Sequence, residues 1–424
     1  MPVADRLTDT LSTFKTALAA SSSSPDNTVG LAVSGGGDSV ALMHMAACLR
    51  PAHQLRVITV NHGLRPEAQD EIALVASQAL ALGLDHTVSQ WTWNGRGNLQ
   101  AAAREGRWAA VREWAAMYNL REVWLGHTED DQVETLLMRL ARGSGIDGLT
   151  GMYPLTERDG LRILRPLLGI ARADLRTWLT GEKIAWCDDS SNEDPRFDRV
   201  RARQMFAQLE TLGLTRKRLL QTVDHMQAAH ISLQCAAKAF AKQHVRQDAG
   251  DLLLSADALN LEKADAPRRV IAAAFGWVGS RMYRPRFEQL LETVAQARKG
   301  ATVTLGGCIM TPDGNGTVRL MREAAATTAA KRSIGQTDAT GVFWDRRWFL
   351  EGPLRDGLTY RALGAGLQNC PKWRDSGMPR MSLLASPSVW HGDSLLAAPL
   401  AGLSNGWSAR IVADFHSTAF AIEE

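Results

Sequence analysis

A chain of 424 residues is long for one domain, and two or three are expected. Apolar residues at 45% and charged residues at 22% are the proportions of an ordinary soluble globular protein, and no apolar run is long enough to span a bilayer. The net charge of +3 is too small to diagnose a nucleic-acid binder.

Residues 1–27 read as an amphipathic lead-in helix, because Asp5, Asp9 and Lys15 interrupt the apolar stretch that a secretory signal needs. Residues 28–33 form a buried strand ending in a Gly-rich turn, 40–49 a helix and 56–60 a second strand. A long helix over 98–119, a third strand over 122–126 and a helix over 130–142 follow. This alternation predicts an α/β domain over 28–214, a doubly wound, mostly parallel sheet covered on both faces. Such sheets bind ligands beyond the carboxyl ends of their strands.

From 215 to 323 the texture is mainly helical, with runs at 216–247, 266–275 and 285–298. Two strands at 302–310 and 317–321, joined at Asp313-Gly314-Asn315-Gly316, close it as a hairpin. Residues 324–335 read as a linker. Strand-like pieces at 342–350, 359–363, 395–400 and 409–415 make 336–424 a small β-rich domain. The cysteines, Cys48, Cys187, Cys235, Cys308 and Cys370, are odd in number and far apart, which argues against a disulfide framework and a Cys-x-x-Cys site. A reducing cytoplasm fits best. Residues 196–218 carry Arg196, Arg199, Arg201, Arg203, Arg216, Lys217 and Arg218 against only Asp198 and Glu210. That stripe suits a phosphate backbone or, equally, a solvated helix face.

The strongest chemical signal is Ser34-Gly35-Gly36-Gly37-Asp38-Ser39, between a strand and a helix. Three glycines let backbone N–H groups approach an anion, and the positive end of the following helix points at the same spot. Ser34 and Ser39 can add hydroxyl donors. Asp38 would repel a phosphate unless a divalent cation lay between, so it reads as a Mg²⁺ ligand. The loop lacks the Gly-Lys-[Ser/Thr] ending of a Walker A motif and the dinucleotide spacing Gly-x-Gly-x-x-Gly. It matches the SGGxDS signature and so resembles the PP-loop ATP pyrophosphatases, enzymes that split ATP between the α and β phosphates.

The second signal is Gly126-His127-Thr128-Glu129-Asp130-Asp131-Gln132-Val133-Glu134-Thr135. Asp131 and Glu134 are three apart, and Asp130 and Glu134 four apart, so they share a face of a helix. Clustered carboxylates can hold Mg²⁺ or the ammonium of an amine substrate and take its proton. Thr128 with Asp131 three residues on is equally good capping chemistry. The segment resembles the His-x-x-Asp-Asp-Gln-x-Glu-Thr of the lysidine synthetases within the PP-loop class. Arg142-Gly143-Ser144-Gly145-Ile146-Asp147-Gly148-Leu149, Val60-Asn61-His62-Gly63-Leu64-Arg65, Ala103-Arg104-Glu105-Gly106-Arg107-Trp108, Arg165-Pro166-Leu167-Leu168 and Trp186-Cys187-Asp188-Asp189-Ser190-Ser191-Asn192 are similar to that family's segments in the same order. The likeness spans residues 28–205. Asn61 stands where the family more often has Asp, so no metal role falls to it. The role of His62 stays open.

The resemblance implies a tRNA(Ile)-lysidine synthetase that ligates free L-lysine to C2 of the wobble cytidine of tRNA(Ile) with a CAU anticodon. ATP would give AMP and pyrophosphate through an adenylated cytidine. The nucleotide would lie on Ser34, Gly35, Gly36, Gly37, Asp38 and Ser39 with Gly126 and His127, and Mg²⁺ on Asp38. Arg104 and Arg199 would face phosphates, with Arg203 beside them. Asp131 and Glu134 would place and deprotonate lysine, with the choice between Asp130 and Asp131 left open by spacing. The C-terminal domains would grip tRNA and reject methionine tRNA. The alternatives are a PP-loop tRNA thiolase and a non-catalytic, nucleotide-regulated RNA-binding protein. The sequence is silent on oligomeric state and leaves a homodimer open.

Overall fold

The computed structural model describes residues 3–21, 27–63, 68–93, 95, 99–188, 196, 198–262, 264–280, 285–314, 316–330, 332–333 and 341–420. Leu64, Arg65, Asp189, Ser190, Ser191, Asn192 and Asn315, singled out in the sequence, lie outside them. The chain divides into two compact units, one running to His230 and one from Ile231 onward. No helix among the described residues is long and apolar enough to cross a membrane.

The first unit is the expected doubly wound α/β domain. It runs α1 (Val3–Ala20), β1 (Val29–Ala32), α2 (Gly37–Leu49), β2 (Leu55–Asn61), α3 (Ala68–Ala81), β3 (Asp85–Gln90), α4 (Leu99–Met117) and β4 (Glu122–Leu125). Then come α5 (Glu129–Ala141), α6 (Ile146–Leu149), β5 (Leu155–Arg158), β6 (Leu161–Leu164), α7 (Arg172–Gly181) and α8 (Asp198–Thr211). The sheet order is β3-β2-β1-β4-β6-β5. Every pairing is parallel except β5 with β6 at one edge.

Alternation along the strands sorts side chains to two faces. Leu31, Val57 and Trp124 join Phe14 of α1, the apolar residues of α2, Val75 of α3 and Trp178 of α7 in one core. Ile58 and Val123 point the other way, onto Val111, Trp114 and Ala115 of α4. Helix α2 is buried nearly all round, which is why its sequence is apolar without a polar stripe. The strand order reverses at β1, whose neighbours are β2 and β4. The loops leaving β1 and β4 therefore diverge around a crevice at their carboxyl ends.

Three strands were not evident from the residues. β3 is a polar edge strand of half-exposed residues, without the apolar run that marks a buried one. β5 and β6 are joined by Asp159-Gly160, both at positive φ, a two-residue hairpin signal within a charged segment.

Helix α9 (Arg216–His244) begins in the first unit and ends in the second, three residues short of the expected run, and the chain continues as β7 (Val245–Asp248) and β8 (Asp251–Leu254). Those two strands, with β9 (Val303–Leu305), β10 (Cys308–Gly314) and β11 (Thr317–Arg322), form an antiparallel sheet ordered β7-β8-β11-β10-β9. Helices α10 (Asp265–Gly279) and α11 (Phe287–Arg298) supply the rest of its core. The region expected to be mainly helical thus holds a five-stranded sheet as well. The C-terminal part is β-rich as expected. β12 (Arg332–Ser333), β15 (Leu358–Ala362), β16 (Pro387–His391) and β17 (Ser394–Ala397) form one sheet, and β13 (Gly341–Trp344), β14 (Trp348–Glu351) and β18 (Ser408–Ile411) another. The single strand expected at 342–350 is a hairpin turned at Asp345 and Arg346, both at positive φ without a glycine or asparagine to announce it.

Gly30 in β1 permits the close seat of α4. A Cβ there would lie 2.6 Å from the ring of Trp114, a rigid side chain only 4% exposed. Gly30→Ala is expected to destabilise the protein by about 1–3 kcal/mol through overpacking. Urea unfolding would show this as a lower midpoint with an unchanged slope, and an unchanged midpoint would contradict it.

Candidate active site

The β1–α2 loop is shaped by its own residues. Gly35 has φ +95°, where a side chain would be strained and would also press on Glu71 at 3.1 Å. Ser39 Oγ accepts from the Ser34 backbone N–H at 3.1 Å and donates to the Gly36 carbonyl at 2.9 Å. Ser34 Oγ lies 3.3 Å from Ser39 Oγ. The two hydroxyls expected to face an anion thus close the loop on itself. The Cys187 N–H donates to the Gly35 carbonyl at 3.0 Å and flanks the loop from outside.

Across the crevice, Gly126 follows β4, and a Cβ there would lie 3.1 Å from both the Asp38 carbonyl oxygen and Ser39 Cα. This backbone contact joins the two motif-bearing loops. At the start of α5, both the backbone N–H and the hydroxyl of Thr128 donate to Asp131 Oδ2, at 2.9 and 3.0 Å. The capping reading of Thr128 and Asp131 holds, yet it uses only one carboxylate oxygen. Asp131 Oδ1 faces Arg172 and Arg199, each at 3.5 Å.

Arg172 is the residue that the sequence did not reveal. Its Nε donates to Asp38 Oδ2 at 2.8 Å, and its two terminal nitrogens lie 3.5 Å from Asp131 and 3.6 Å from Glu134. It opens α7, after Ala171. A cation at a helix N-terminus opposes the helix dipole, and that anomaly was the available signal. Its backbone N–H donates to Asp130 Oδ2 at 2.8 Å, and Arg216 grips the same carboxylate with two bonds of 2.8 and 2.9 Å. Asp130 is thereby held by a helix N-terminus and a guanidinium fork.

Arg203 places two bonds of 2.8 and 3.0 Å on Glu134 Oε1. Within the basic stripe Arg199, Arg203 and Arg216 reach carboxylates and Arg201 pairs with Asp198, while Arg196, Arg199, Arg201, Arg203, Lys217 and Arg218 all stay exposed. Asp38 Oδ1 and Glu134 Oε2 are buried without a hydrogen-bond partner. Arg104 is exposed and adds its charge to that of Arg107 and Arg139. His127 neighbours Asp131 electrostatically.

Burial drives the ionisation of these groups. It raises the Asp38 pKa, and Arg172 offsets it only in part. It also works against ionised Asp131, but His127, Arg199, Arg172 and the Thr128 N–H outweigh it and lower that pKa. Burial opposes the Arg172 charge too, and there Asp38, Asp131 and Glu134 prevail, so its pKa rises. Arg107, although exposed as a residue, is lowered by desolvation at its guanidinium and then by Arg199 and Arg104.

His62, at the end of β2, accepts from Arg107 Nε at 3.4 Å and meets Trp91 edge-on at 5.5 Å. Burial, then Arg107, lowers its pKa from 6.5 to about 4. The unfolded chain therefore binds a proton between these values that the folded chain does not, and stability falls as pH drops through that window. In urea unfolding at pH 7 and pH 5, His62→Gln is expected to lose less stability than the wild type. Equal losses would show that His62 does not carry this linkage.

Residues 8–210 match the PP-loop domain family. A tRNA(Ile)-lysidine synthase of Ruegeria pomeroyi is 44% identical over 394 residues, covering 92% of each chain. One of Anaplasma marginale is 30% identical over 339 residues, 76% of this chain and 70% of that one. One of Methylobacterium nodulans is 38% identical over 280 residues, 65% of this chain and 83% of that one.

Proposed function

The chain belongs to the tRNA(Ile)-lysidine synthase family of PP-loop proteins, and we propose on that premise how its crevice serves the ATP-dependent joining of lysine to tRNA(Ile). The observation that carries the reading is convergence. Asp38 from the β1 loop and Asp131 and Glu134 from the first turns of α5 meet on one guanidinium, that of Arg172.

ATP binds against the loop of Ser34 to Ser39, at the N-terminus of α2, with Gly126 and His127 across from it. Backbone N–H groups and the helix dipole receive its phosphates. Magnesium fits Asp38, whose buried Oδ1 has no other partner. Among the described residues no group of three or more His, Cys, Asp or Glu side chains is arranged to hold a metal by itself. That suits Mg²⁺, which takes one or two carboxylates and completes its shell with phosphate and water. When bound, it would neutralise charge on the polyphosphate.

The wobble cytidine of a tRNA(Ile) with a CAU anticodon attacks the α-phosphate through its 2-oxo group, and pyrophosphate leaves. Arg104 and Arg199 stabilise the phosphate charge from the α4 and α8 sides. The ε-amine of lysine then attacks C2, and AMP departs with the oxygen. A lysine amine is mostly protonated at neutral pH, so a base is needed. Asp131 and Glu134 supply it in this reading, because Asp130 is taken by Arg216 and the Arg172 N–H. The thiolase alternative needs a reactive thiolate. Cys187 flanks the loop, but burial and then Glu71, Asp70 and Asp188 raise its pKa. We place the reaction in the cytoplasm.

The test is transfer of radiolabelled lysine to unmodified tRNA(Ile) with a CAU anticodon, in the presence of ATP and Mg²⁺. Asp38→Asn keeps the shape and removes the charge, and is expected to lose about a hundredfold or more in rate. Full activity in that variant would remove Asp38 from the nucleotide site. Pyrophosphate release without lysine transfer would leave the adenylation and overturn the assigned acceptor.

A further inference from the structure

Arg172 stands where the proposed reaction needs other cations. Its guanidinium touches Asp38, Asp131 and Glu134, the carboxylates assigned to magnesium and to the lysine amine. The three contacts are unequal: 2.8 Å to Asp38 against 3.5 and 3.6 Å to Asp131 and Glu134. Its backbone is fixed, because its N–H is held by Asp130, which Arg216 holds in turn. Only the side chain is left to move.

A primary ammonium approaching Asp131 and Glu134 meets the guanidinium of Arg172 already between them. Two cations at one point also repel each other. ATP, by contrast, brings several negative charges to the loop that carries Asp38. A forked guanidinium binds phosphate oxygens bidentately, as it does carboxylates. The buried oxygens without partners, Asp38 Oδ1 and Glu134 Oε2, show that Arg172 does not saturate the carboxylates it touches.

Resting on the function given above, we propose that Arg172 fills the amine position of the nucleotide-free crevice and swings onto the polyphosphate when ATP binds. The lysine site then opens only after nucleotide, and one side chain imposes the order of addition. Arg172 also acts as a positioning residue, since it keeps three mutually repelling carboxylates convergent until their ligands arrive.

Equilibrium dialysis of radiolabelled lysine against the full chain tests this, with and without a non-hydrolysable ATP analogue. In the wild type the analogue is expected to tighten lysine binding by about fivefold or more. In Arg172→Gln, lysine is expected to bind without the analogue about fivefold more tightly than to the wild type, and the analogue should add little. Arg172→Lys, which keeps the charge, should restore the dependence on nucleotide. Lysine binding to the wild type that ignores the analogue overturns the proposal, whatever the variants do. So does a folded Arg172→Gln protein with wild-type dependence, or one that loses lysine equally in both states. Glu134→Gln separates the layers. If it binds lysine normally in both states, the amine-site assignment fails and this proposal with it. If it loses lysine while Arg172→Gln behaves as wild type, only the present proposal fails.

Discussion

Everything at the crevice depends on holding carboxylates together against their own repulsion. Two unit charges about 4 Å apart in a partly buried site interact by about 4 kcal/mol, a large fraction of a domain's net stability. Asp38 comes from the first turn of α2 and Asp131 and Glu134 from the first turns of α5, and all three are buried or nearly so. Arg172 neutralises them as a group, Arg203 covers one oxygen of Glu134, and Arg216 with a helix N-terminus takes Asp130 out of the set. The paired arginines are thus structural counter-ions to these carboxylates.

The second unit supplies a useful contrast. Arg319 binds Asp248, Asp251 and Asp313 at 2.8 to 3.0 Å, and Ser382 adds a further bond to Asp251. None of those carboxylates has a buried oxygen left without a partner, whereas Asp38 and Glu134 each have one. A saturated buried cluster fixes a fold. In the first unit the two unmet acceptors each cost about 1–3 kcal/mol.

The topology explains why these residues meet. A sheet ordered 3-2-1-4 opens a gap at the carboxyl ends of β1 and β4, and the two strongest motifs lie directly after those strands. Gly126 lets the two segments touch backbone to backbone. Helix α7, which begins after β6 and packs on the same face as α2, brings Arg172 in from the side.

The sequence by itself determined the α/β class, the strand-to-helix placement of Ser34 to Ser39 and the pairing of Asp131 with Glu134. These are local: glycine spacing, apolar periodicity and helix registry need no distant partner. It also showed Thr128 and Asp131 as a cap, which the hydrogen bonds confirm. Tertiary structure alone decided that Arg172 meets Asp38, 134 positions away, that Asp130 is occupied by Arg216, and that Arg203 of the basic stripe reaches Glu134. An arginine in a sequence looks the same whether it faces water, RNA or a buried carboxylate. Only the packing of α7, α8 and α9 around the crevice selects among these, because charge pairing is a matter of distance in space.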